Sequence, residues 1–220
     1  MHDRNIEALV ADAILEHRLL PGQHLNEVHL AKAFGMSRSA VRTALLALES
    51  EGLVKIEPNR GVFVAKPSLD EATQLFQALA GLEGGAVDLI IGADRRAQPD
   101  ALAALEATQR QLVDAQAKGM HAESIRLAVA FHTQFMALAG NGFLSEAHRK
   151  LLMQYRLVTA VFRTAMDYCS LDDHHSSILN FLHERAANKL KRLIEEHWRH
   201  IVLGHAPAVA PTDLILALKI

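Results

Sequence analysis

Hydrophobic positions at the start of the chain recur at helical spacing. Ile6, Leu9, Val10 and Ile14 fall on one face of a segment running from about Asn5 to Arg18. Leu20-Pro21-Gly22 ends that pattern, because proline resists continuing a helix and glycine frees the turn. Asn26 is placed to cap a second helix through Leu30, Ala31 and Phe34, and Ala33-Phe34-Gly35-Met36 reads as a turn. Ser37 is placed to cap a third helix, with Val41, Leu45 and Leu48 as its buried stripe and a stop near Glu51-Gly52. The pattern then changes from helical to β-prone. Leu53-Val54-Lys55-Ile56 and Gly61-Val62-Phe63-Val64 flank Glu57-Pro58-Asn59-Arg60, which predicts a hairpin. Three short helices followed by a hairpin predict a winged helix-turn-helix over residues 1–67.

Pro67-Ser68 reads as a hinge, with Ser68 and Glu71 forming a capping box for the next helix. From about residue 69 to 204 only helical patterns occur. Breaks are expected at Gly92-Ala93-Asp94, Lys118-Gly119, Gly140-Asn141-Gly142 and Ser170-Leu171-Asp172. These predict an all-α bundle of six or seven helices within residues 68–220, and a fold that is mainly α as a whole. The tail from Ala206 to Ile220 ends in an apolar run, Leu214 to Leu218, suited to packing on a partner subunit or to a strapped-down terminus.

Composition adds constraints. Half of the 220 residues are hydrophobic and few are aromatic, which favours packed helices over sheets. The formal net charge is −2, so any affinity for nucleic acid rests on local charge. The single Cys169 excludes an intramolecular disulfide and suits a reducing compartment. No uninterrupted apolar run reaches the roughly 18 residues that span a bilayer, and the first residues lack the apolar core of a signal peptide. The expected location is the cytoplasm.

The stretch Ser37-Arg38-Ser39-Ala40-Val41-Arg42 carries the most chemistry. Positions i and i+4 share a helix face, so Arg38 and Arg42 can enter one groove. A helix with one apolar side and one arginine-bearing side, after a glycine turn and another helix, is how helix-turn-helix proteins read the major groove of DNA. Surface ion pairs, for example to Glu49, are the alternative role for these arginines.

The series Leu20-Pro21-Gly22, Leu25, Glu27, Leu30-Ala31, Phe34-Gly35-Met36-Ser37-Arg38, Val41-Arg42, Ala44-Leu45, Leu48-Glu49, Gly52-Leu53-Val54 and Arg60-Gly61-Val62 resembles the DNA-binding domain of GntR-family bacterial transcription regulators. The helical remainder resembles the FCD effector domain of that family's FadR-type branch. Its markers are Leu82-Glu83, Phe131-His132, Gly140-Asn141, His175 with Ile178-Leu179, and His197. The resemblance implies that Arg38 and Arg42, with Ser37 and Ser39 beside them, contact bases or phosphates of double-stranded operator DNA. It also implies that Asn59, Arg60 and Gly61 bring the wing to the backbone or minor groove, in a homodimer.

His175 and His197 form an informative pair among thirteen histidines. With a helix turn near residue 186, each lies eleven residues from it, about 16 Å up its own helix at 1.5 Å per residue. In an antiparallel hairpin they sit at one level and can share a metal ion. His132 lies on another helix whose apolar face enters the same bundle. Three imidazoles suit a divalent transition metal, Zn²⁺ or Ni²⁺ first among them. In FCD proteins these three histidine positions are metal ligands, joined by an aspartate one turn before the first; here that position is Ala128. Leu79 stands where many relatives have an arginine four residues before the glutamate position held by Glu83. Arg156 and Arg163, seven apart on one expected helix, are candidates to bind an effector carboxylate.

The reading is a DNA-binding regulator responsive to a small organic acid or related metabolite; the resemblance implies repression relieved by that effector, with activation as the alternative. A metal-sensing regulator is the alternative. A metal-dependent enzyme with a DNA-binding head is less favoured, because no zincin motif is present. In Glu195-Glu196-His197-Trp198-Arg199-His200 the histidines are three apart, and no nucleophile elbow, phosphate loop or dinucleotide fingerprint occurs.

Overall fold

The computed structural model describes residues 6–16, 18–92, 99–162 and 168–199. These fall into two compact units. The first holds the residues up to Leu69 together with a segment from Met153; the second runs from Asp70 to Leu152 and resumes at residue 165.

In the first unit, α1 (Ile6–Leu15), α2 (Glu27–Phe34) and α3 (Arg38–Ser50) are joined to a three-stranded antiparallel sheet of β1 (His24–Leu25), β2 (Val54–Glu57) and β3 (Gly61–Val64), in the order β1-β3-β2. The expected hairpin is β2-β3, with Val54 opposite Val64 and Ile56 opposite Val62. β1 was not expected. It places His24 opposite Phe63 and Leu25 opposite Val62, so the wing is tied to the chain between α1 and α2.

Local chemistry explains the helix boundaries. Asn26 Oδ1 accepts the backbone N–H groups of Val28 and His29 at 2.9 and 3.1 Å, satisfying donors that the start of α2 would leave open. Gly35 ends α2 in the left-handed conformation, φ 65°. Ser37 Oγ then accepts the Ala40 N–H at 3.2 Å to start α3. The apolar stripe of α3 (Val41, Ala44, Leu45 and Leu48) is buried with Val10, Leu30 and Val62. Burying one such leucine contributes about 1.5–3 kcal/mol, which anchors the short helix from one side only. Leu157 belongs to the same core, with Met153 packed against it.

The second unit is a bundle of α4 (Leu69–Gly92), α5 (Pro99–Ala117), α6 (His121–Ala137), α7 (Gly142–Val161), α8 (Tyr168–Glu184) and α9 (Ala187–Arg199), with the end of α7 assigned to the first unit. Short connections make helical hairpins of α5 with α6 and of α8 with α9. Arg185, at φ 55°, turns the second hairpin, and the Ala186 N–H closes it on the Phe181 carbonyl at 3.0 Å. The expected break at Ser170-Leu171-Asp172 is absent: these residues lie inside the first turns of α8, where serine and aspartate are common and act as starters rather than breakers. α4 is long and apolar enough to cross a membrane by length and composition, although charged residues interrupt it. Its buried face carries Leu75, Phe76, Leu79 and Val87 and, fully enclosed, Glu83. Arg163 and the apolar tail lie outside the described residues, as does the Cys169 side chain.

The tip of the wing sets a steric limit. Gly61 has φ 104°, and a Cβ there would meet His24 Nε2 at 2.6 Å. Gly35, at φ 65°, faces open space. Gly35→Ala is therefore expected to cost about 1–2 kcal/mol for the left-handed backbone. Gly61→Ala should cost more, since φ 104° lies well outside the left-handed well that other residues tolerate, whereas the exposed His24 ring can move aside. Chemical denaturation of both variants measures the order.

Candidate nucleic-acid interface and metal centre

The solvent side of α3 presents Arg38, Ser39 and Arg42, all exposed, with Ser37 at its start. Arg38 makes no ion pair among the described residues. Arg42 Nη1 stands 3.7 Å from Glu27 Oε1, with its side chain 61% exposed, a loose surface pair worth little. Glu49, the acid considered as their partner, is engaged elsewhere: its Oε1 accepts the Ile56 N–H at 2.7 Å and ties α3 to β2. Both guanidinium groups thus remain presented to solvent. Asn59, at φ 60°, turns the wing, a conformation asparagine tolerates. Arg60 pairs with Glu57, and its guanidinium lies 5.6 Å from the centre of the Phe63 ring.

In the second unit, α6, α8 and α9 bring His132, His175 and His197 together; each is 2% exposed. His132 Nε2 stands 3.2 Å from His175 Nε2 and 3.1 Å from His197 Nε2. The potential ligand atoms of all three lie within 4.8 Å of one another. Counting from the turn near residue 186 thus located the pair correctly: the ring centres of His175 and His197 are 4.8 Å apart. Metal–nitrogen bonds of about 2.0–2.1 Å require neighbouring ligand nitrogens about 3–3.5 Å apart, so the two short separations fit a metal centre. The chemistry also fits. Three ring nitrogens facing one point cannot satisfy one another by hydrogen bonds, because each neutral imidazole has one donor and one acceptor. The Nδ1 atoms of His175 and His197 are buried without a hydrogen-bond partner among the described residues. Ala128, where the resemblance places a carboxylate, is half-buried against Leu112, Ala115 and Leu127.

The group behind this cluster entered the sequence analysis only as a marker of the FCD resemblance, with no role of its own. Glu83 of α4 is fully buried. Its Oε1 lies 2.9 Å from His132 Nδ1, in ion-pair range but outside hydrogen-bond geometry, and 2.8 Å from His148 Nε2. Its Oε2 accepts the Trp198 indole N–H at 3.0 Å. Burial alone would raise the Glu83 pKa. The charges and close contacts of His132 and then His148 outweigh it and hold the carboxyl well below the usual range. Burial pushes His175 well down, aided by His132 and His174. His197 is pushed down likewise, by burial and then by His175 and His132, against a smaller opposing pull from Glu83. Arg156 of α7 is half-buried in the segment assigned to the first unit, and the histidines belong to the second.

Residues 3–64 match the model of the bacterial regulatory proteins of the gntR family, and residues 74–200 match that of the FCD domain. The chain belongs to the GntR family. It is a DNA-binding transcription regulator with an FCD effector domain, and not an enzyme. This GntR regulator is 29% identical over 190 residues to the HTH-type transcriptional regulator YdhC of Bacillus subtilis (strain 168), covering 84% of this chain and 79% of that one. It is 28% identical over 172 residues to the HTH-type transcriptional repressor GlaR of Escherichia coli (strain K12), covering 74% and 75%. A solved GntR transcriptional regulator of Rhodococcus sp. RHA1 shares the fold with a TM-score of 0.75 at 23% identity, over 90% of this chain and 95% of that one.

The buried histidines set a pH dependence for metal-stripped protein. Their folded pKa values lie below the ordinary 6.5, so the unfolded state binds more protons once pH falls below that value. Their stabilising contribution is complete above about 6.5 and is lost as pH drops towards the folded values. The Glu83 contribution is retained until pH falls below its ordinary 4.5. Thermal stability should therefore start to fall near pH 6.5 and keep falling as pH drops further, each extra proton on the unfolded chain costing about 1.4 kcal/mol per pH unit. His175→Phe should flatten this slope; an equally steep slope in that variant would assign it to other groups.

Proposed function

We propose that this GntR regulator is a repressor whose FCD unit holds a divalent metal ion on His132, His175 and His197 and binds a small organic acid there. The observation that carries the reading is the convergence of three buried Nε2 atoms, two of the separations being 3.1 and 3.2 Å. An all-imidazole donor set suits Zn²⁺ or Ni²⁺. The ion would supply a Lewis-acidic centre with positions left for a ligand carboxylate, the more so with alanine at position 128. The repressor part is supported by likeness to GlaR, whose name describes a repressor.

On the DNA side, Arg38 and Arg42 are proposed to reach base edges or phosphates from α3, with Ser37 and Ser39 beside them. Asn59, Arg60 and Gly61 bring the wing to the backbone. Arginine pairs in bidentate fashion with guanine O6 and N7. A homodimer would set two copies of α3 on a pseudo-palindrome. Effector releases DNA only as far as its affinities for the two arrangements differ.

Two measurements test this reading. Arg38→Ala or Arg42→Ala should cost about 1–3 kcal/mol of operator discrimination. Uniform weakening on all DNA would make that arginine a phosphate clamp instead. Elemental mass spectrometry of the purified protein should find about one metal equivalent per chain, lost in His175→Ala. Unchanged content in that variant would remove the three-histidine centre. The same cluster favours one second reading, in which the metal is itself the signal. Metal alone would then switch operator binding with no organic acid present.

A further inference from the structure

We propose that Glu83 is the positioning residue of the histidine cluster, and that His148 holds Glu83 in place; this rests on the metal-centre reading above. The argument starts from the tautomer of His132. Its Nδ1 stands 2.9 Å from a carboxylate oxygen, outside hydrogen-bond geometry but close enough that the negative charge favours an N–H over a lone pair at Nδ1. The lone pair then lies on Nε2, facing His175 and His197. In the other tautomer an N–H would occupy that space and exclude a cation. Glu83 thereby selects the ligand-ready form of His132, as outer carboxylates do for metal-bound histidines.

The same carboxylate reaches a second ligand through α9. Its Oε2 accepts the indole N–H of Trp198, the neighbour of His197, so the rotation of α9 that turns His197 inward is fixed from the same point. His148 contributes from α7. Its Nε2 lies 2.8 Å from the oxygen that faces His132, and its ring is 1% exposed. It is outside the ligand cluster, and its contact restrains the carboxylate from rotating away from Nδ1.

A stabilising role alone accounts poorly for this arrangement. A buried carboxylate costs several kcal/mol to desolvate, and apolar residues of similar volume commonly serve stability as well or better. Positioning gives the charge a purpose, because it lifts the donor strength of one ligand and orients two.

The experiment is a Co²⁺ titration of the metal-stripped full-length protein, followed by its visible absorption bands and by chelator competition. Melting of each metal-free variant is measured in parallel. Glu83→Gln keeps the shape of the side chain and removes its charge. It should weaken Co²⁺ binding by about 10–100-fold and shift the absorption bands. His148→Leu should weaken binding in the same sense, and His148→Gln, whose amide still donates a hydrogen bond, should recover most of it. If Glu83→Gln does not fold, the two His148 variants decide the matter. Lower melting temperatures with unchanged Co²⁺ affinity and bands would overturn the proposal in favour of a purely structural network. Wild-type protein that takes up no Co²⁺ would remove the metal reading itself, before any variant is compared.

Discussion

Burying a charge is the most demanding thing this bundle does. Glu83 comes from the middle of α4 with no access to water, so every stabilising contact of its ionised form must come from protein. Groups from α6, α7 and α9 converge on it: the His132 ring at ion-pair distance, and His148 and Trp198 within hydrogen-bond reach. Each lies on a different helix, so the carboxylate constrains the mutual placement of four helices more tightly than apolar contacts would. Apolar packing tolerates sliding at small cost, whereas a charge with defined donors does not. The three-histidine cluster lies directly against this junction, with one member, His132, belonging to both.

The DNA-binding unit is built on a different principle. Its helices are short, and α3 is held from one side by an apolar stripe, by its Ser37 cap and by Glu49 reaching the wing. Every anchoring group sits on the inner face or at an end. The outer face is thereby free to carry two guanidinium groups that no buried partner neutralises. With a formal net charge of −2 on the chain, such local presentation has to provide the attraction for phosphate.

How much of this could be read from sequence follows from the range of each interaction. The caps Asn26 and Ser37, the glycine turn at Gly35 and the β2-β3 hairpin depend on neighbours a few residues away, and all were legible. The level of His175 with His197 was also legible, because a short hairpin converts residue counting into distance. β1 was not, since two residues, His24 and Leu25, are too few to show a period; only the partner strand defines them. The start of α8 was misread because serine and aspartate near a helix start look like a break when the preceding boundary is not known. Glu83 with His148 lay beyond sequence reasoning altogether. They are 65 residues apart, and nothing in the local pattern of either distinguishes a buried carboxylate–imidazole contact from an ordinary polar position on a helix. The available signals were the place of Glu83 among the markers of the FCD resemblance and its position on the apolar side of α4, flanked by Leu79, Leu82 and Val87.

Trp198 gives the junction one more property. It is the single tryptophan of the chain, almost fully buried, stacked at 6.2 Å on Phe76 and 4.6 Å from the His132 ring. Its indole N–H is committed to Glu83. All intrinsic tryptophan emission therefore originates beside the histidine cluster, so the regulator carries a native fluorophore at that point of the bundle. A change in the local field or hydrogen bonding there is visible in the spectrum of the unlabelled protein, with no background from a second indole.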